Sequence, residues 1–109
     1  MIVSMQGEAL KGHLDLLLLA VLANGPAHGY ALIEALRARS EGVFDLPEGT
    51  VYPALHRLED QGWLQSEWAE TTGRRKRVYQ LTPKGREMLA ARQNEWQAFA
   101  KAVNATVGI

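Results

Sequence analysis

Two β-type runs inside an otherwise helical sequence set the tightest limit on how this chain can fold. Residues 75–81 alternate, so that Tyr79 and Leu81 share one face of a strand. The run 63–69 precedes it, and the five residues between the two runs include Gly73. A glycine-containing connection of this length is typical of a β-hairpin. We therefore predict a single two-stranded hairpin inserted between helices.

Helical periodicity accounts for most of the remaining chain. Gly25-Pro26 ends the first helix, since proline cannot continue the hydrogen-bond ladder. Thr82 and Pro83 suit the N-cap and the first position of the last helix. The nine-residue apolar run 14–22 is too short to cross a membrane and indicates a buried helix. The predicted helices cover about residues 10–24, 29–39, 47–62 and 83–104.

Positive charge is concentrated at the hairpin, although the whole chain is formally neutral. Residues 71–86 hold six of the twelve Lys and Arg residues and no acidic residue. Residues 1–70 hold four basic residues against ten acidic ones. For a nucleic-acid binder, the field at the contact surface matters more than the total charge. The charge run alone fits a DNA-contacting hairpin and a solvated hairpin tip equally well.

The sequence predicts neither a catalytic nor a metal site. There is no cysteine, so disulfides and thiolate ligands are excluded, and a reducing cytoplasm is the expected compartment. His13, His28 and His56 lie on different predicted elements, which argues against a shared metal. No phosphate-binding glycine loop, nucleophile elbow or catalytic triad is recognisable, and residues 1–10 show no secretory signal. We expect no cofactor, no membrane association and no enzymatic activity.

Three stretches resemble the PadR family of bacterial transcriptional regulators. Residues 10–32 are similar to that family's first helix and to the His-Gly-Tyr start of its second. Residues 48–64 resemble its recognition helix, and residues 73–85 its wing and the start of its last helix. This resemblance implies a winged helix-turn-helix domain, which is a mainly α fold with a small β-hairpin. The order of the predicted elements implies the same fold. The implied domain covers residues 1–81, with a flexible or partly helical 1–9, and a C-terminal dimerisation helix covers 82–109, as in the smaller subfamily.

The resemblance also implies a DNA-contacting surface on the recognition helix and the wing. Wing cations would reach phosphates or a minor groove flanking the major-groove site. Arg75 and Arg77 share a face with Tyr79, so we expect one of the two arginines to be partly structural. Tyr52 flanks the core face and has packing as its alternative role. The predicted DNA contacts are Tyr30, Thr50, Tyr52, His56, Arg57, Arg74, Arg75, Lys76 and Arg77.

The last helix carries an apolar stripe that a compact winged helix would leave without a partner. In the PadR family the first and last helices of two chains form a two-fold dimer. Such symmetry would place two recognition helices in successive major grooves of a palindromic operator. The predicted dimer residues are Leu10, Leu14, Leu89, Trp96, Phe99 and Val103.

Trp96 adds a candidate ligand site. In some small PadR regulators of multidrug exporters, a tryptophan at this place lines a dimer-interface cavity in which flat apolar compounds stack. The alternative is that Trp96 fills the dimer core. The candidate pocket, for a small aromatic or cationic effector, consists of Ala9, Gly12, Asp15, Leu16, Trp96 and Phe99.

Together these features predict a dimeric, sequence-specific DNA-binding regulator, a repressor of a nearby transporter, detoxification or stress gene. The effector, if the pocket is open, would release the protein from double-stranded DNA. The alternative is a winged-helix protein-interaction module whose basic wing meets an acidic partner.

Overall fold

The computed structural model describes residue 10, residues 12–71 and residues 73–109. The predicted flexible N-terminus, 1–9, and the pocket candidate Ala9 lie outside these residues. Over the described part, the structure confirms a mainly helical winged helix followed by one long helix. The elements in chain order are α1 (Leu14–Leu22), β1 (Ala27–His28), α2 (Gly29–Arg39), α3 (Glu48–Asp60), β2 (Leu64–Thr71), β3 (Arg74–Leu81) and α4 (Pro83–Val107).

The sheet has three antiparallel strands in the order β1-β3-β2, not the two that the sequence predicted. β1 is only two residues long and pairs Ala27 with Tyr79 and His28 with Val78. We call the β2-β3 hairpin the wing. Its pairing continues to Thr71 opposite Arg74, so the strands are longer than predicted and the five-residue connection is wrong.

The core confirms the predicted apolar faces. Val51, Leu55 and Leu58 of α3 are completely buried, and Tyr79 of β3 is 1% exposed beside them. The alternation of β3 therefore directs Tyr79 into the core beneath α3, while the strand's outer end remains at the surface. This packing fixes the wing next to the recognition helix.

α1 starts four residues later than predicted, at Leu14 instead of residue 10. Gly12 has a φ of 88°, in the left-handed region, so residues 10, 12 and 13 belong to a turn and not to a helix. The turn is closed by hydrogen bonds from the amides of His13 and Leu14 to the carbonyl of Leu10. Leu10 itself is buried in the core.

α4 is anchored at its first turn to the segment that follows α3. The predicted N-cap is confirmed, because Thr82 Oγ1 accepts from the amide of Gly85 at 3.0 Å. The same hydroxyl donates to the carbonyl of Gly62 at 2.6 Å, and the Thr82 amide donates to the carbonyl of Trp63 at 3.1 Å. α4 then continues to Val107, beyond the predicted end near residue 104.

Candidate nucleic-acid interface and interhelical cavity

A groove of about 350 Å³ lies where α3, the start of α2 and the inner face of the wing meet. Its lining combines aromatic rings with basic side chains and contains no carboxylate. This is the chemistry that a phosphodiester backbone requires, since cations meet phosphate oxygens and rings offer apolar or hydrogen-bonding contact. The lining residues are His28, Tyr30, Tyr52, His56, Trp68, Arg75, Lys76, Arg77 and Tyr79.

Most of the predicted DNA contacts therefore meet in one place. Tyr30 is 55% exposed at the start of α2, and His56 is exposed on α3. Three predicted contacts lie outside the groove lining. Thr50 is exposed in the first turn of α3 and Arg74 is exposed at the outer end of β3, so both remain accessible, whereas Arg57 is held elsewhere.

Tyr52 packs closely on the backbone at the start of α2. A Cβ atom placed on Gly29 would lie 2.5 Å from the Tyr52 ring, so only glycine permits this approach. Tyr52 is half-buried against the core while its ring also lines the groove. The Tyr52 ring therefore packs against the core, which was the alternative to DNA contact, and it also faces the groove.

His28 is the N-cap of α2. Its Nδ1 accepts from the amide of Ala31 at 3.2 Å. Burial, and secondly the positive charge of Lys76, lowers the pKa of His28. The neutral ring that can accept this hydrogen bond is thus favoured at neutral pH.

Arg77 ties the wing to α3. Its Nε donates to Ser66 Oγ at 2.7 Å, and Ser66 Oγ in turn donates to Glu59 Oε2. The Arg77 guanidinium also lies 3.7 Å from Glu59 Oε2. One of Arg75 and Arg77 was expected to be partly structural, and Arg77 is the one that these contacts hold in the fold.

Arg57 makes a bidentate ion pair with Asp15, with nitrogen–oxygen distances of 2.6 and 3.0 Å. The hydrogen bond to Asp15 is the main reason that the pKa of Arg57 is raised. This pair joins α3 to α1. Asp15, which was predicted for the ligand pocket, thus directs its carboxylate at α3, and it lines neither of the two cavities between α1 and α4.

Two adjoining cavities of about 300 and 390 Å³ separate α1 from α4. Leu16, Trp96 and Phe99, predicted for a pocket, line both, and Gly12 lines the smaller one. His13, for which the sequence predicted no role, also lines both cavities. Its ring meets Trp96 edge-on, with centroids 5.4 Å apart. Nothing in the spacing of the histidines signalled this contact, which depends on how α4 crosses the turn before α1.

The predicted dimer residues divide into two groups. Leu10 and Leu89 are 5% and 7% exposed within the single chain, so they have little surface left to offer a second copy. Leu14 also packs against the core. The second half of α4 is different, because it presents an unpaired apolar surface. We call this surface the α4 stripe; it consists of Trp96, Phe99, Val103 and Val107, which are 44%, 56%, 38% and 60% exposed.

The described residues contain neither a metal-binding cluster nor a membrane-spanning helix. They contain no cluster of three or more His, Asp or Glu side chains arranged to hold a metal ion. Within the same ranges, no helix combines the length and apolar character needed to cross a membrane.

Comparison with known proteins places these features in a family. The sequence model of the Transcriptional regulator PadR-like family matches residues 18–91. The transcriptional regulator Rv3488 of Mycobacterium tuberculosis is 38% identical over 81 residues, which cover 74% of this chain and 73% of that protein. The match to the family model runs from α1 through the wing into α4, and it includes every residue of the groove.

Solved structures show the same similarity. A transcriptional regulator from Clostridium thermocellum superposes with a TM-score of 0.83 at 28% identity, covering 91% of this chain and 97% of that one. A PadR family transcriptional regulator from Eggerthella lenta has a TM-score of 0.80 at 31% identity, covering 92% and 86%. Both matches extend over most of the long C-terminal helix as well as the winged domain, given their coverage of this chain.

Proposed function

Because the chain belongs to the PadR-like family of transcriptional regulators, we propose that it binds a palindromic operator as a two-fold dimer. It would act in the cytoplasm as a repressor of a nearby transporter, detoxification or stress gene. The family is one of transcriptional regulators and not of enzymes. Its members bind DNA and typically act as dimers.

The groove between α3 and the wing carries this proposal. It collects Arg75, Lys76 and Arg77 with aromatic rings and no carboxylate, in a chain whose net charge is zero. A neutral protein that segregates its charge in this way has a local positive field suited to a polyanion. With α3 in a major groove, the wing cations would lie along the flanking phosphates.

The α4 stripe supports the dimer. Its exposed apolar residues continue along one side of a helix of 25 residues, roughly 37 Å long. An apolar surface of this kind normally marks an interface. Two copies joined through α4 would carry two recognition helices related by two-fold symmetry, which matches an inverted repeat.

The cavities between α1 and α4 support a small aromatic effector. His13, Trp96 and Phe99 supply three rings within 6.4 Å of one another, centroid to centroid. The Asp15–Arg57 ion pair joins α1, which flanks the cavities, to the recognition helix. An effector that favours another position of α1 would therefore lower operator affinity, with a coupling free energy of about 1–3 kcal/mol.

Exchange of Arg75 and Lys76 for Ala tests the role of the groove. Both residues line it, so we expect weaker binding of a fluorescein-labelled duplex by the double variant. The slope of log K against log salt should become shallower by about 0.9 for each lost phosphate contact. Fluorescence anisotropy over a series of salt concentrations measures both quantities.

The matched control removes two exposed cations away from the groove, Arg39 on α2 and Lys101 on α4. This control changes net charge equally and should retain the wild-type slope. Equal slopes for the groove variant and the control would show that the wing does not contact DNA. The groove would then bind the acidic surface of a partner protein, and the chain would show no preference for one duplex sequence over another.

A further inference from the structure

Trp68 is an exposed tryptophan outside the hydrophobic core. It lies on β2 directly opposite Arg77, and 55% of its surface is accessible. Trp63, by comparison, is half-buried against the core and faces Arg92, whose Cζ lies 5.7 Å from the ring centroid. A large aromatic residue left outside the core and lining a basic groove calls for a different explanation.

The Trp68 ring is in contact with two wing arginines. The Cζ atom of Arg75 lies 4.8 Å from the ring centroid and that of Arg77 lies 5.3 Å away, both within the range of a cation–π interaction. The two contacts differ in what surrounds them. Arg77 is also bonded to Ser66 and close to Glu59, so the fold holds it without the ring. For Arg75, by contrast, the described residues provide the contact with the Trp68 ring and no side-chain hydrogen bond or ion pair.

A guanidinium lying over an aromatic ring uses its face for that contact. Its N–H donors lie in the plane of the group and stay available to phosphate oxygens. A free arginine loses rotamer freedom when it binds a phosphate, and this cost falls if the side chain is already held in the bound position. Trp68 is placed to do this for Arg75.

We propose that Trp68 is a positioning residue for DNA binding, which holds Arg75 over the groove in the orientation that meets a phosphate. The inference rests on the proposed function of the groove and adds a residue and a task to it. Arg77 then has the structural role of holding the wing against α3, whereas Arg75 contacts the nucleic acid.

The test compares Trp68→Leu with Trp68→Phe in duplex binding. Leucine keeps apolar bulk without a π face, so the affinity should fall about two- to fivefold, the range of an exposed cation–π contact. Phenylalanine retains a ring and should restore most of the affinity. Because Trp68 lies outside the core, both variants should keep the wild-type fold, which their circular dichroism spectra check.

A double-mutant cycle separates positioning from direct contact. If Trp68 acts through Arg75, Trp68→Leu should cause no further loss in a protein that already carries Arg75→Ala. Two results overturn the inference, provided that the wild-type protein binds the duplex. One is that Trp68→Leu lowers the affinity of the Arg75→Ala protein as much as it lowers that of the wild type. The other is that Trp68→Leu alone retains wild-type affinity. If the wild-type protein binds no duplex at all, the proposed function is wrong, and the inference about Trp68 is then wrong as well.

Discussion

Replacing Phe99 by Asp is expected to produce a monomer that has lost most of its operator affinity. Phe99 lies in the middle of the α4 stripe, 56% exposed, between Trp96 and Val103. A carboxylate there would have to be buried in an apolar interface without a partner, which is strongly unfavourable. A monomer engages one half-site only, so the affinity should fall on the order of 100-fold or more.

Sedimentation velocity measures the oligomeric state of this variant, and anisotropy with an operator duplex measures its affinity. Asn94→Asp serves as the control, since it adds the same charge on an exposed part of α4 away from the stripe. The control should remain a dimer with wild-type affinity. A Phe99→Asp protein that stays dimeric, or that binds as well as the wild type when monomeric, would contradict the assignment of the stripe.

The second large effect is expected at Gly85, where α4 begins. A Cβ atom on this residue would lie 2.0 Å from the carbonyl oxygen of Trp63, which also accepts the Thr82 amide. Because the obstructing atom belongs to the backbone, the helix start itself must move. Gly85→Ala should therefore lower the free energy of unfolding by about 3 kcal/mol. The corresponding fall in Tm is on the order of 15 °C.

Thermal unfolding followed by circular dichroism tests this expectation. Gly49→Ala is the matched control, because Gly49 is an exposed residue of α3 and no atom lies within 4 Å of a Cβ placed there. In a helix this control should be neutral or stabilising by up to about 1 kcal/mol. Equal Tm values for the two variants would mean that α4 is not held against Trp63 as described.

The sequence was sufficient for the elements whose signal is local. The apolar positions of α3 repeat with the helical period, and Val51, Leu55 and Leu58 are buried accordingly. Thr82 has the chemistry of an N-cap and is one. β1 could not be predicted, because two residues are too few for alternation and their pairing with β3 depends on the tertiary fold. The late start of α1 depends likewise on a single left-handed glycine.

The candidate site shows the same division between local and tertiary signals. The charge of the wing is visible in the sequence, but the partners of its cations are not. Arg57 meets Asp15 across 42 positions of the chain, which no periodicity indicates. Arg77 is held by Ser66 and Glu59 because the wing packs on α3. Trp68, exposed on β2, could have been suspected only from its position opposite Arg77 in the hairpin register.

If two copies of this chain read an inverted repeat in duplex DNA, the purified protein should select such a repeat from a pool of random duplexes. Sequencing of the bound fraction identifies the selected motif. We expect enrichment of one palindromic motif whose half-site centres lie about 10 base pairs apart, or a multiple of that spacing. A bound fraction with no enriched motif, retained no more tightly than the starting pool, would contradict this expectation.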